Sequence, residues 1–210
     1  MKKFETIIAI DPGKSGGIAH WNNGRIQAVK MPGSVFELNR YLKHLHESIK
    51  NPIVFIEKVQ AYRGKSVEEH QESFFEIFQR YSDKETIFEE FIKVLNSDDD
   101  VPGKKFGINK MLANYAELTT VIQLIGFPWV EVYPVSWQSS LGLRIHKDTR
   151  SKTERKNSYK DYAQNCFPEL KITHATGDAL CLVAFGQKKL KHDPRWIRER
   201  LNDPSKSGLF

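Results

Sequence analysis

Apolar residues run unbroken from Ile7 to Ile10 and stop at Asp11, with Pro12-Gly13-Lys14-Ser15-Gly16-Gly17 behind them. A short, solid apolar run closed by turn residues reads as a strand covered on both faces. Thr6 to Asp11 is therefore the expected first strand, Gly17 to Trp21 the second and Arg25 to Met31 the third. Asn22-Asn23-Gly24 separates the last two, and Asn and Gly tolerate the positive φ of a tight hairpin turn. Ser34 stands where a helix cap belongs, ahead of Leu38, Tyr41, Leu42 and Leu45 at helical spacing. Asn51-Pro52 ends that connection, and Ile53 to Ile56 forms a fourth strand closed by Glu57.

The pattern then changes period. Val67 to Tyr81 and Lys84 to Leu95 predict two amphipathic helices, lined by Phe74, Phe78 and Tyr81 and by Phe88, Phe91, Ile92 and Leu95. Helical order resumes at Asn109, with Leu118, Val121, Ile122 and Ile125 facing inward and Gly126 ending the run. Trp129 to Tyr133 predicts a fifth strand, Ser158 to Cys166 a short helix and Asp178 to Leu190 a final one. Three meandering strands, a helix and a returning strand begin a mixed α/β sheet with a crossover. The 210 residues suit one domain carrying a helical insertion at about 67–104.

Composition narrows the class. An apolar content of 40% with 28% charged residues suits a globular chain, and no apolar run approaches the length of a membrane span. The N-terminus leads straight into a strand without a signal peptide, and Cys166 and Cys181 lack metal-ligand spacing. Both features predict a cytoplasmic protein. The net charge of +6 is unevenly spread: Ala61 to Asp100 holds eleven acidic and five basic residues, leaving +12 on the remainder. Seven basic residues fall between Arg144 and Lys160, against Asp148 and Glu154. Such a run can be a plain solvated face, but a basic body also suits a polyanion.

The two Gly-Lys-Ser triplets are not phosphate loops, because Ile8 and Val59 occupy the positions that require the first glycine. The stronger signal is a charge at the end of two buried strands, Asp11 and Glu57. If the first and fourth strands pair, these ends are neighbours, and two adjacent carboxylates without a cation repel until one takes up a proton. A divalent ion removes that conflict, and oxygen ligands favour Mg²⁺ or Mn²⁺ over zinc. Asp178, at the start of the last expected helix, offers a third ligand, with His174 about one helical turn before it. Each has a plain alternative: Glu57 as a solvated strand-end charge, Asp178 as an acid at a helix N-terminus, His174 as a loop residue.

In order along the chain, IAIDPGKSGGIA, VFIEKVQAYRGKS, FGINKMLANYAELTTVIQLIGFPWVEVYPVSWQSSLGL and HATGDALCLVAFG resemble the four landmarks of RuvC-type Holliday junction resolvases. The likeness is to the phage and viral branch of that RNase H-like superfamily, and it covers the chain outside about 67–104. It implies an RNase H-like mixed five-stranded sheet flanked by helices. It implies an Mg²⁺-dependent endodeoxyribonuclease that cuts four-way DNA junctions as a homodimer, without a small-molecule cofactor or a membrane. Asp11, Glu57 and Asp178 would hold two Mg²⁺ ions, with Mn²⁺ as a substitute, for in-line attack on a phosphodiester. For a viral protein the compartment would be wherever the host keeps the DNA.

Two positions depart from that family. Its members carry a fourth acid or histidine just before the last aspartate; here Ala175 stands three before it and His174 four before it, so His174 takes the fourth catalytic role. The family's tryptophan is commonly followed by lysine, whereas Gln138 follows Trp137. The DNA contacts expected in this chain are accordingly Lys14, Lys58, Arg144, Lys147, Arg150, Lys152 and Lys156. Competing readings are another RNase H-like nuclease or transposase-like enzyme, a catalytically inactive DNA-binding module, and an actin- or sugar-kinase-like ATPase. The last needs a second phosphate loop and a second domain, and neither is visible.

Overall fold

A computed structural model describes residues 3–59, 104–145 and 150–203, with the side chains of 104–113 excepted. The helices expected over Val67–Tyr81 and Lys84–Leu95, and the expected DNA contact Lys147, lie outside the described residues. The chain divides into two compact units, one formed by Met1–Val59 with Asn114–Phe210 and the other by Gln60–Ala113.

Five strands form one mixed sheet: β1 (Thr6–Asp11), β2 (Gly17–Asn22), β3 (Arg25–Lys30), β4 (Pro52–Glu57) and β5 (Trp129–Val132), in the spatial order β3-β2-β1-β4-β5. The three N-terminal strands meander antiparallel, and β1–β4 and β4–β5 pair in parallel. Asn23 and Gly24 both take positive φ, 48° and 83°, which a two-residue hairpin with the right twist requires. Every residue of β1 is buried, as the central strand of a sheet covered on both faces must be.

Alternation along the strands divides the core in two. Ile8, Ile10, Val54 and Ile56 face α1 (Val35–Ser48), through Leu38, Leu42 and Leu45, and α2 (Lys104–Ile125), through Leu118, Val121 and Ile122. Ile7, Ala9, Phe55 and Val130 face the opposite layer. That layer contains α3 (Pro134–Ser140), α4 (Lys152–Cys166), α5 (His174–His192) and α6 (Pro194–Arg200). Each large aliphatic or aromatic side chain so covered contributes about 1.5–3 kcal/mol relative to exposure. The helices therefore stay on the sheet, and their ends define a rim at the C-terminal ends of β1 and β4.

Several expectations need correction. The helix expected at Ser158 starts at Lys152, because Ser151 and Glu154 form a reciprocal capping box. The helix expected from Asn109 starts at Lys104. The last long helix starts at His174 after the Thr173 cap rather than at Asp178, and it is not the final one, since α6 follows. Asp178 therefore lies in the second turn of α5, buried, rather than at a solvated helix N-terminus. That removes the plain reading of its charge. No described helix is long and apolar enough to cross a membrane.

Candidate metal centre

The parallel pairing of β1 with β4 carries Ile10 opposite Ile56, so Asp11 and Glu57 follow as neighbours where the two strands end. Both face the same rim because register is shared along a parallel pair. Two glycines complete the approach. A Cβ on Gly16 would fall 2.1 Å from the Asp11 carbonyl oxygen, and one on Gly17 would fall 2.5 Å from the Ala175 carbonyl oxygen. The loop after β1 can thus fold back on Asp11, and the first turn of α5 can reach the start of β2, only without side chains there. With α5 so seated, Asp178 meets the two strand ends.

The result is one cluster. One ligand atom from each of Asp11, Glu57 and Asp178 lies within 4.8 Å of the others. Asp11 and Asp178 are buried and Glu57 is half-buried. At an effective dielectric of about 20, two full negative charges this close repel by roughly 3–4 kcal/mol. Burial, then the neighbouring Asp178 charge, pushes the Asp11 carboxyl up to about 7, with Lys156 pulling the other way. Burial and the charges of Asp11 and Asp178 push Glu57 up to about 8, opposed by a hydrogen bond from Trp137 and by Lys156. Asp178 is also raised, mainly by burial, with Lys156 and His174 opposing.

Among the described residues, Lys156 is the cation bonded to this cluster. Its ammonium donates to Asp178 Oδ2 and sits 3.9 Å from Asp11 Oδ2. Burial disfavours that ammonium, but Asp178, Asp11 and Glu57 outweigh burial and hold its pKa above the ordinary lysine value. Among the described residues, one positive charge is set among three carboxylates, which leaves them short of positive charge. Asp178 Oδ1 is buried with no hydrogen-bond partner. An all-oxygen donor set, a deficit of positive charge and an orphaned buried oxygen together fit a hard divalent cation such as Mg²⁺ or Mn²⁺.

Around this centre, Trp137 of α3 is wholly buried, and its indole N–H donates to Glu57 Oε2 at 2.8 Å. The sequence singled out Trp137, but nothing in its spacing pointed to this contact. His174 begins α5, and its Nε2 is 2.8 Å from Asn157 Oδ1. Among the described residues, the cluster of mutually close ligand atoms comprises the three carboxylates without His174.

The basic residues divide by what already holds them. Lys14, Arg144 and Lys152 are exposed. Lys58 is committed to Glu131 at 2.9 Å and lies over the Tyr133 ring, and Glu131 also accepts from Tyr115 at 2.7 Å. Arg150 donates to Ser158 Oγ and to the Leu143 carbonyl, pinning the approach to α4 onto that helix.

Two solved structures align with this chain along most of its length. RuvC of T. thermophilus in complex with a Holliday junction substrate aligns over 90% of this chain and 96% of its own, at 11% identity and a TM-score of 0.48. A Thermus thermophilus RuvC structure aligns over 94% and 99%, at 13% identity and a TM-score of 0.46. No protein-family profile and no curated protein matches the sequence.

Proposed function

We propose that this chain is a divalent-metal-dependent endonuclease that cuts four-way DNA junctions. One observation carries the nuclease reading: Asp11, Glu57 and Asp178 converge from two strand ends and a helix within 4.8 Å, with too little positive charge between them. Burying three carboxylates together is costly unless a cation or a proton offsets them, and structure alone has no use for such a cost. The junction as substrate, the phage and viral branch, and the homodimer rest on the motif resemblance. A four-way junction presents two symmetric strands, which a two-fold dimer can reach together.

In this reading Asp11, Glu57 and Asp178 hold the metal, which, when bound, supplies a nucleophilic water and offsets charge on the phosphate. Mg²⁺ is the expected ion, a pair of ions the expected number, and Mn²⁺ the expected substitute. Asp11 and Glu57, at the ends of rigid paired strands, fix the donors' positions, and the glycine-rich loop lets a phosphate come close to backbone. Lys156 adds a positive charge at the rim and can turn toward a phosphate oxygen once its carboxylate partners have another cation. Lys152 stands one turn before it on α4, and Lys14 stands in the loop behind Asp11; both are proposed contacts for flanking phosphates. Lys58, Arg144, Lys147 and Arg150 remain proposed DNA contacts. His174 is proposed to aid proton transfer, its ring oriented by Asn157.

Purified protein with Mg²⁺ is expected to place paired symmetric nicks in a synthetic four-way junction, leaving ligatable 5′-phosphates, and to cut linear duplex far less. Asp11→Asn, Glu57→Gln and Asp178→Asn are each expected to abolish cleavage while retaining junction binding measured in Ca²⁺. Full activity in any of the three variants would overturn the metal centre. Equal cutting of duplex and junction, or preference for an RNA–DNA hybrid, would keep the nuclease and reject the resolvase.

A further inference from the structure

We infer that Trp137 is a positioning residue that restricts Glu57 to one free carboxylate oxygen, and so biases the centre toward small, octahedral divalent ions and away from Ca²⁺. The inference rests on the metal-centre reading above and adds to it the device that sets which ion is taken.

The indole N–H is a donor only, and at 2.8 Å it occupies Glu57 Oε2. Among the described residues no other donor is seen on Glu57. The indole itself cannot yield. It is wholly buried in the core, on the short helix α3, with Tyr159 against it edge to face at 5.1 Å. A carboxylate pinned at one oxygen by a fixed donor is poorly disposed to chelate through both. Mg²⁺ and Mn²⁺ sites commonly take one oxygen from each carboxylate in near-octahedral geometry, whereas Ca²⁺ takes six to eight oxygens and often a bidentate carboxylate. An orienting partner outside the ligand set typically carries about 10–100-fold in metal affinity.

The plain alternative is a buried N–H that takes the nearest acceptor. That role predicts lost stability without altered ion preference, which gives the test. Protein stripped of metal is titrated calorimetrically with Mn²⁺ and with Ca²⁺, using wild type, Trp137→Phe, and protein carrying at position 137 a tryptophan analogue with sulfur in place of the N–H. The analogue keeps the ring shape, so it reports on the hydrogen bond even if the phenylalanine variant folds poorly. Expected is a roughly 10–100-fold loss of Mn²⁺ affinity, with Ca²⁺ affinity held within about threefold or improved. Equal losses for both ions, or an unchanged ratio, would overturn the inference and leave the metal centre standing. Absence of binding of either ion to wild type would overturn the metal centre and this inference with it.

Discussion

Asp11→Asn should stabilise the protein when no metal is present, while destroying the activity proposed for it. The folded protein holds the Asp11 carboxyl at about 7, against 3.8 for the free group, chiefly through burial. A shift of about three units corresponds to roughly 4 kcal/mol of preference for the protonated form. Below the unfolded value both states are protonated and the group contributes nothing. As pH rises toward 7 the unfolded chain ionises first, so the unfolded state binds fewer protons and stability falls; above 7 the loss is complete. Asparagine resembles the protonated acid at every pH. Its benefit should therefore be near zero at pH 4 and on the order of 3–4 kcal/mol at pH 8, or about 10 °C in Tm for a domain of this size. Saturating Mg²⁺ should close most of that gap. Ion binding at a hundredfold excess over Kd stabilises wild type by about 2.7 kcal/mol, and it does so far less in the variant. The assay is urea unfolding of both proteins at pH 4, 6 and 8, in EDTA and in Mg²⁺. A variant less stable than wild type at pH 8 in EDTA, or a gain independent of pH, would refute the electrostatic account.

Two further outcomes test how the site is built and approached. Gly17→Ala places a Cβ within 2.5 Å of the Ala175 carbonyl and 2.8 Å of the Val29 carbonyl, both backbone. It should cost about 1–3 kcal/mol in denaturant unfolding and weaken Mn²⁺ binding; wild-type behaviour in both would show that α5 does not need that close approach. Replacing the exposed Lys14, Arg144 and Lys152 by alanine should flatten the log–log salt dependence of junction binding by roughly 0.9 per lost phosphate contact. An unchanged slope would mean that DNA runs elsewhere.

Strands that are apolar and short declared themselves, because burial on both faces leaves no polar position to confuse the period. Asp11 and Glu57 were legible for the same reason: a charge after four apolar residues is conspicuous. The start of α4 was not, since Ser151 to Lys156 reads as a charged run, although the Ser151–Glu154 capping box was a local signal for it. Thr176-Gly177 similarly hid the first turn of α5, a helix start that tertiary packing overrides propensity to make. What sequence spacing cannot encode is who meets whom across elements. The capture of Lys156 by Asp178, of Lys58 by Glu131 and of Trp137 by Glu57 each joins positions brought together only by the sheet and its covering helices.

The order in which the ribosome delivers the parts has its own consequence. Asp11 and Glu57 emerge early, but Asp178 arrives more than a hundred residues later, on the last long helix. At about 5–20 residues per second, the first two carboxylates wait on the order of ten seconds for the third. The parallel pairing of β1 with β4 is itself non-local, and such contacts form slowly because chain entropy is lost before they repay it. A nascent or truncated chain that stops before α5 lacks the third carboxylate of the cluster, however well its first strands have paired. The three-carboxylate centre is thus incomplete during synthesis and is completed by the docking of a single helix.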